Sequence, residues 1–312
     1  MNVGPALSGL LFTLVVALIV GVILRATRRL EGDAVHTLNR VIVDVTLPCL
    51  VLGILCDSEL APSIWGALVA TALGQAIGLV GGVGITRAMG LPRRTQGAAG
   101  LVAAFANTGF LGIPVAFALF GGKGLGPSTA ILIDSFNTTV LLWTSGLVFA
   151  KRMGDGSGET RSIASALVTP LTASVILGLV FNLAHVAPPA LVRAALDKIG
   201  AATTALVFLS LGLSLDLGAL RGRIKAVLAV SSIKLVVAPL AALASLYVLR
   251  LPHDVGIVAV MQTAMPTSLL SVVLAAEAGC DGGFAAGVAV VTTLLSTVCL
   301  PVLIRLVTTC SP

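Results

Sequence analysis

Long apolar runs separated by short polar stretches dominate this chain. Ten such runs can be delimited: residues 6–24, 38–55, 62–86, 96–120, 128–150, 163–185, 191–215, 225–249, 255–278 and 284–304. Each is close to the roughly 20 residues that carry an α-helix across the hydrocarbon of a bilayer. Backbone groups in lipid must be satisfied within the segment, so runs of this length are expected as helices. The pattern predicts an all-α integral membrane protein with ten transmembrane helices. The first run has no basic segment before it and a basic flank after it, so it is expected to be a retained span and not a cleaved leader.

Composition supports this pattern. Of 312 residues, 57% are hydrophobic and 10% charged, against about a quarter charged in soluble domains. The mean hydropathy of +1.09 leaves too little polar surface to clothe a water-soluble fold of this size. The net charge of +6 does not signal a nucleic-acid partner, because the basic residues sit in short clusters between apolar runs. Aromatic residues make up 4%, too few for base-stacking platforms. The five cysteines, Cys49, Cys56, Cys280, Cys299 and Cys310, match no zinc or CxxC spacing and are expected as bland thiols. His36, His185 and His253 are isolated, and no enzymatic or nucleotide-binding motif stands in a credible context. No enzyme activity, metal or cofactor is expected.

Charge between the spans sets an orientation. One alternating set of loops holds thirteen basic residues: Arg25, Arg28, Arg29, Arg40, Arg87, Arg93, Arg94, Lys151, Arg152, Arg161, Arg221, Arg223 and Lys225. The other holds four: Lys123, Arg193, Lys198 and Arg250. The positive-inside rule puts the richer set in the cytoplasm and both termini outside, in a multi-pass protein of the plasma (inner) membrane. The polar stretch Lys151–Arg161 leaves five spans on either side. An odd number per half reverses the second half, as in an inverted repeat. The expected organisation is a first five-helix repeat at 1–150, a cytoplasmic linker at 151–162 and a second, inverted repeat at 163–312.

The fourth span of each half is interrupted. In one it reads Asn107-Thr108-Gly109-Phe110-Leu111-Gly112-Ile113-Pro114, and in the other Gln262-Thr263-Ala264-Met265-Pro266-Thr267-Ser268. Proline removes a backbone donor and clashes with the preceding turn, and glycine loosens a helix. Such breaks persist only against protein or a wet cavity. A kinked packing helix explains either alone, but two at matching places in opposed halves point to a transporter's binding site. Ionisable groups inside spans must face the bundle interior or a pathway. Asp134 and Asn137 lie on adjacent turns of span 5, and Lys234 sits well inside span 8. Lys234 reads as a counter-charge for a carboxylate and Asp134 as a carrier of a coupling proton. A buried structural pair of the two is an equal alternative. Asp44 lies nearer the cytoplasmic end and is expected to snorkel. Glu277, Asp216 and Arg305, at span ends, are expected to be interfacial. The Gly78–Gly82 pair in span 3 reads as close helix packing.

The Asn107–Pro114 run with Phe120-Gly121, the Leu47-Pro48 of span 2, and the stretch from Gln262 to Pro301 with Met265-Pro266, Thr292-Thr293-Leu294-Leu295-Ser296 and Leu300-Pro301 resemble the auxin efflux carrier family over nearly the whole chain. The resemblance implies helices 4 and 9 broken and crossing near the membrane centre, in a fold similar to that of the bile acid sodium symporters. Members export auxin in plants, and bacterial relatives are associated with malonate, malate and other small organic acids. The short Lys151–Arg161 stretch resembles the compact bacterial type. By resemblance Asn107 is the carboxylate-contacting side chain, and Pro114 and Pro266 are the crossover prolines.

These readings converge on a secondary transporter of a small organic anion working by alternating access. Asn107, Thr108, Gly109 and Pro114 would face Gln262, Thr263, Met265, Pro266 and Thr267, with Asp134, Asn137 and Lys234 as coupling or counter-charge groups. The expected partners are the anion and the lipid bilayer, with room for a homodimer. A sodium-coupled symporter and a non-transporting sensor are the competing classes. Few acids lie near the crossing, so sodium independence is expected.

Overall fold

The computed structural model describes residues 16–30, 32–56, 60–120, 124–155, 169–214 and 223–310. Residues 6–15 of the first predicted span, 156–168 around the central linker and the start of span 6, and Lys123, Leu215, Asp216 and Arg221 lie outside the described residues.

Among the described residues the chain is helical apart from turns and one isolated bridge. In order, α1 is Val16–Ala26, α2 Gly32–Val41, α3 Leu47–Cys56, α4 Ser63–Ala88, α5 Arg93–Ala104, α6 Ile113–Phe120, α7 Leu125–Asp134, α8 Leu147–Met153, α9 Pro170–Leu183 and α10 Ala190–Ser214. They are followed by α11 Ile224–Ser232, α12 Ala238–Leu249, α13 His253–Thr263, α14 Leu269–Glu277 and α15 Gly282–Cys310. Among the described residues, four continuous helical stretches are long and apolar enough to cross a membrane: Thr37–Cys56, Ser63–Ala88, Leu125–Met153 and Ile224–Leu249. Shorter apolar helices include Thr108–Phe120, Pro170–Leu183 and Gly282–Ser296.

Several of these stretches contain wide π turns. Ile42–Thr46, Thr108–Gly112 and Ile233–Val237 are π-helical, and each ends two residues before a proline: Pro48, Pro114 and Pro239. A proline ring clashes with the carbonyl four residues earlier and offers it no N–H. Those carbonyls belong to Asp44, Phe110 and Leu235, all inside the widened turns. The sequence therefore keeps its helices running through proline by opening one turn. A further π segment among the described residues, Ser135–Gly146, holds no proline. There the Thr144 hydroxyl bonds back to the Val140 carbonyl and that of Ser145 to Leu141 at 2.8 Å, competing with the ladder.

The chain divides into two compact units, each drawing segments from both sides of the central polar stretch. The first comprises Met1–Ala61, Gly109–Ile131 and Leu167–Leu215. In it α1 meets α10 backbone to backbone: a Cβ added at Gly21 would lie 2.3 Å from the Leu209 oxygen, and one at Gly212 would lie 2.2 Å from that of Leu18. Asn182 on α9 donates to the Leu55 carbonyl at 2.9 Å, satisfying an acceptor that the end of α3 leaves open. Asp44 accepts from Arg40 at 3.4 Å in an exposed pair.

The second unit comprises Pro62–Thr108, Leu132–Ala166 and Asp216–Pro312. The expected close packing of span 3 is present here. Cβ atoms added at Gly78 and Gly82 on α4 would fall 2.4 and 2.5 Å from the backbone oxygens of Ala103 and Ala99 on α5. The core gathers Leu101, Val102, Leu142, Trp143, Val227, Leu274 and Phe284. One end of the unit is clamped by charge. Arg94 donates to the Gly279 carbonyl at 2.7 Å and pairs with Asp155 at 3.1 Å. Asp281 accepts from Thr95 at 2.8 Å, from Arg223 and, capping α15, from the Phe284 amide at 3.0 Å. Burial raises the Asp281 carboxyl, but these three donors together outweigh it and hold the group below the ordinary 3.8. Burial pushes the neighbouring Cys280 thiol up to about 11, so it stays protonated and unreactive at neutral pH.

Candidate functional site

Both interrupted helices break inside the second unit. α5 ends at Ala104, and Phe105 is already extended. α13 ends at Thr263, and the chain runs irregularly until α14 begins at Leu269. The two gaps are stitched by an antiparallel bridge between Ala106 and Thr267. The Asn107 amide donates to the Pro266 carbonyl at 2.7 Å, and the Ser268 amide to the Phe105 carbonyl at 2.9 Å. Buried backbone must find partners, and here each break supplies them to the other. Thr267 adds two more bonds: its hydroxyl donates to the Val102 carbonyl at 2.8 Å, and its amide donates to the Thr292 hydroxyl at 3.2 Å. Thr292 in turn donates to the Val288 carbonyl at 2.9 Å.

The polar groups singled out from the sequence are brought to this stitching from several helices. Asn107, Thr108, Gln262, Thr263, Met265 and Thr267 are all buried. The Thr108 hydroxyl donates to Asp134 at 2.6 Å. Asn137, one turn on, is buried with its Oδ1 unpartnered among the described residues. Lys234 is fully buried and donates to the Thr263 carbonyl at 2.8 Å, the last residue of α13. An ammonium at a helix C-terminus meets the negative end of the helix dipole. Asp134 and Lys234 thus have different partners, Thr108 and Thr263. Gly109 and Pro114 continue the same helix past Thr108, where the chain enters the first unit.

Sequence reasoning missed two groups. Thr292 sits in a motif noted above without a role, and its hydroxyl turns out to hold the second break. Gln75 is a glutamine in an apolar helix, buried, with both side-chain polar atoms unpartnered among the described residues. An amide inside span 3 is the signal that could have found it.

A profile of the family described as "Membrane transport protein" matches residues 6–304. An uncharacterised transporter of Methanothermobacter thermautotrophicus is 30% identical over 292 residues, covering 93% of this chain and 94% of that protein. An uncharacterised transporter of Methanocaldococcus jannaschii is 27% identical over 175 residues, 56% of each chain. Apolar helices with buried polar breaks, together with a family match over nearly the whole length, lead to one conclusion: the chain belongs to the membrane transport protein family, the auxin efflux carrier family its motifs resemble, and is a multi-pass membrane transporter.

Proposed function

We propose that this transporter moves a small organic anion, a carboxylate of the auxin-like or malonate- and malate-like kind, by alternating access at the two paired breaks. The observation that carries the reading is the bridge between Ala106 and Thr267. It joins two helix interruptions far apart in sequence at one buried point. Interrupted helices converging in this way are how secondary transporters build a substrate site in the membrane. Asn107 and Thr108 offer neutral hydrogen-bonding groups on one strand of the stitch, and Gln262, Thr263, Met265 and Thr267 line the other. Lys234 supplies positive charge beside the second break, and Asp134 supplies a carboxylate beside the first.

In this reading ten spans form two inverted five-helix repeats in the plasma membrane, with both termini outside. The 13-to-4 loop bias and the matching positions of the breaks support it. The test is flux into vesicles across a panel of mono- and dicarboxylates, wild type against Asn107→Ala. Transport of at least one carboxylate, reduced about tenfold or more by the loss of a charge-assisted contact, is the expected result. Wild-type flux in the variant removes Asn107 from the site, and no flux of any carboxylate in wild type removes the substrate class.

A further inference from the structure

Gln75 sits midway along α4 and is 6% exposed, yet neither Nε2 nor Oε1 has a hydrogen-bond partner among the described residues. A buried amide left unsatisfied is costly, so its presence inside a membrane-length helix calls for a use. Its neighbours on the same buried face locate it. A Cβ added at Gly74 would lie 2.8 Å from Thr263 Cγ2 and 3.1 Å from the Ala238 carbonyl, and one at Gly78 would lie 2.4 Å from the Ala103 carbonyl. The α4 turn that carries Gln75 is therefore pressed against the closing residues of both half-helices, α5 and α13.

The same place receives Lys234, fully buried and bonded to the Thr263 carbonyl. An ammonium has three donors, and among the described residues that neutral carbonyl is its partner. A buried cation facing only a neutral acceptor is under-compensated. The α4 turn that carries an unspent amide and the helix that carries an under-compensated ammonium thus both reach Thr263, the last residue of α13.

We propose that Gln75 and Lys234 together receive a carboxylate group of the transported anion, whose oxygens accept from the Gln75 amide and the Lys234 ammonium. Gln75 is then a binding residue, and Lys234 is a ligand to substrate as well as a cap on α13. Charge-assisted bonds of this kind are among the stronger ones available. The proposal rests on the organic-anion reading above.

The test uses the purified full chain in detergent, with acetate, malonate, malate and indole-3-acetate as probes. Affinity is read from the concentration dependence of thermal stabilisation. Gln75→Leu removes the unsatisfied amide, so the unliganded protein unfolds at the same temperature as wild type or higher. Its dissociation constant for the best probe rises about tenfold or more, the worth of one bond to a charged group. Gln75→Glu places a carboxylate beside the ammonium, raising unliganded stability and abolishing probe binding. A structural amide gives the opposite signature, with lower unliganded stability in Gln75→Leu and wild-type affinity in the folded protein, and either result overturns the proposal. If wild type binds a probe and Gln75→Leu binds it equally well, this proposal alone falls. If wild type binds none, the organic-anion reading falls with it.

Discussion

The two breaks answer one physical problem in different ways. The second keeps its proline inside the gap, where Pro266 has no N–H to satisfy and lends its carbonyl to Asn107. The flanking Thr267 and Ser268 are fixed by bonds to Val102, Thr292 and Phe105, and all of this lies within one compact unit. The first break is shorter. Its proline, Pro114, lies downstream in the helix and acts at a distance by widening the turn Thr108–Gly112. It is also where the chain leaves the second unit, between Thr108 and Gly109, to return at Leu132 just before Asp134. Charge follows the same division. The end of α13 carries the Lys234 ammonium, whereas the end of α5 is closed by the Thr267 hydroxyl. The second break is built as an anchor and the first as a joint.

This difference can be broken experimentally. Lys234→Met should have the largest effect: it leaves the Thr263 carbonyl buried without its donor, a loss of about 1–3 kcal/mol, and removes the counter-charge, so vesicle flux should fall to background. Retained flux would show that the anchor needs no cation. Next comes Thr292→Val, which strands the Thr267 amide. It should lower stability by about 1–3 kcal/mol, measured by thermal unfolding, with Thr292→Ser restoring it. Thr108→Val, the matching change at the joint, should perturb flux more than stability.

The prolines separate the two designs further. Pro114→Ala returns an N–H to the Phe110 carbonyl and should narrow the wide turn. That should stabilise the protein by less than the roughly 3 kcal/mol an interior proline costs an unrelieved helix, while slowing transport. Pro266→Ala has no ladder to restore and should gain nothing; equal gains would erase the distinction. The smallest effect is expected far from either break. Asp281 has a depressed carboxyl, so its contribution is complete above the ordinary value of 3.8 and is lost as pH falls through the lower folded value. Asp281→Asn should abolish that acid-side loss in a pH series of unfolding temperatures without altering flux.

Much of the architecture was legible as pattern. The apolar runs announce helices, Gly78 and Gly82 announce a close crossing, and the prolines announce the interruptions. The widening two residues before Pro48, Pro114 and Pro239 was not legible, because a proline can kink, break or open a helix, and the choice depends on what surrounds the freed carbonyl. Nor was the interleaving of the two units, which depends on contacts such as Gly200 against Leu50 between residues far apart in the chain. Within the candidate site, Asn107, Thr267 and Lys234 stand out as polar groups in apolar spans. Thr292 does not, because a threonine in a helix ordinarily bonds its own backbone, and its second role exists only once Thr267 is beside it.

The stitch between the breaks also has a consequence for biogenesis. The Asn107 amide waits for the carbonyl of Pro266, which is synthesised about 160 residues later. At a ribosomal pace of roughly 5–20 residues per second, that is about ten to thirty seconds. Through that interval the half-made protein holds α4 and α5 with an exposed polar end, and lipid offers that end no partner. The insertion machinery, or water drawn in beside it, must shelter the first break until the second arrives. Nascent chains truncated between Pro114 and Pro266 should therefore be the ones most readily recognised by membrane quality control.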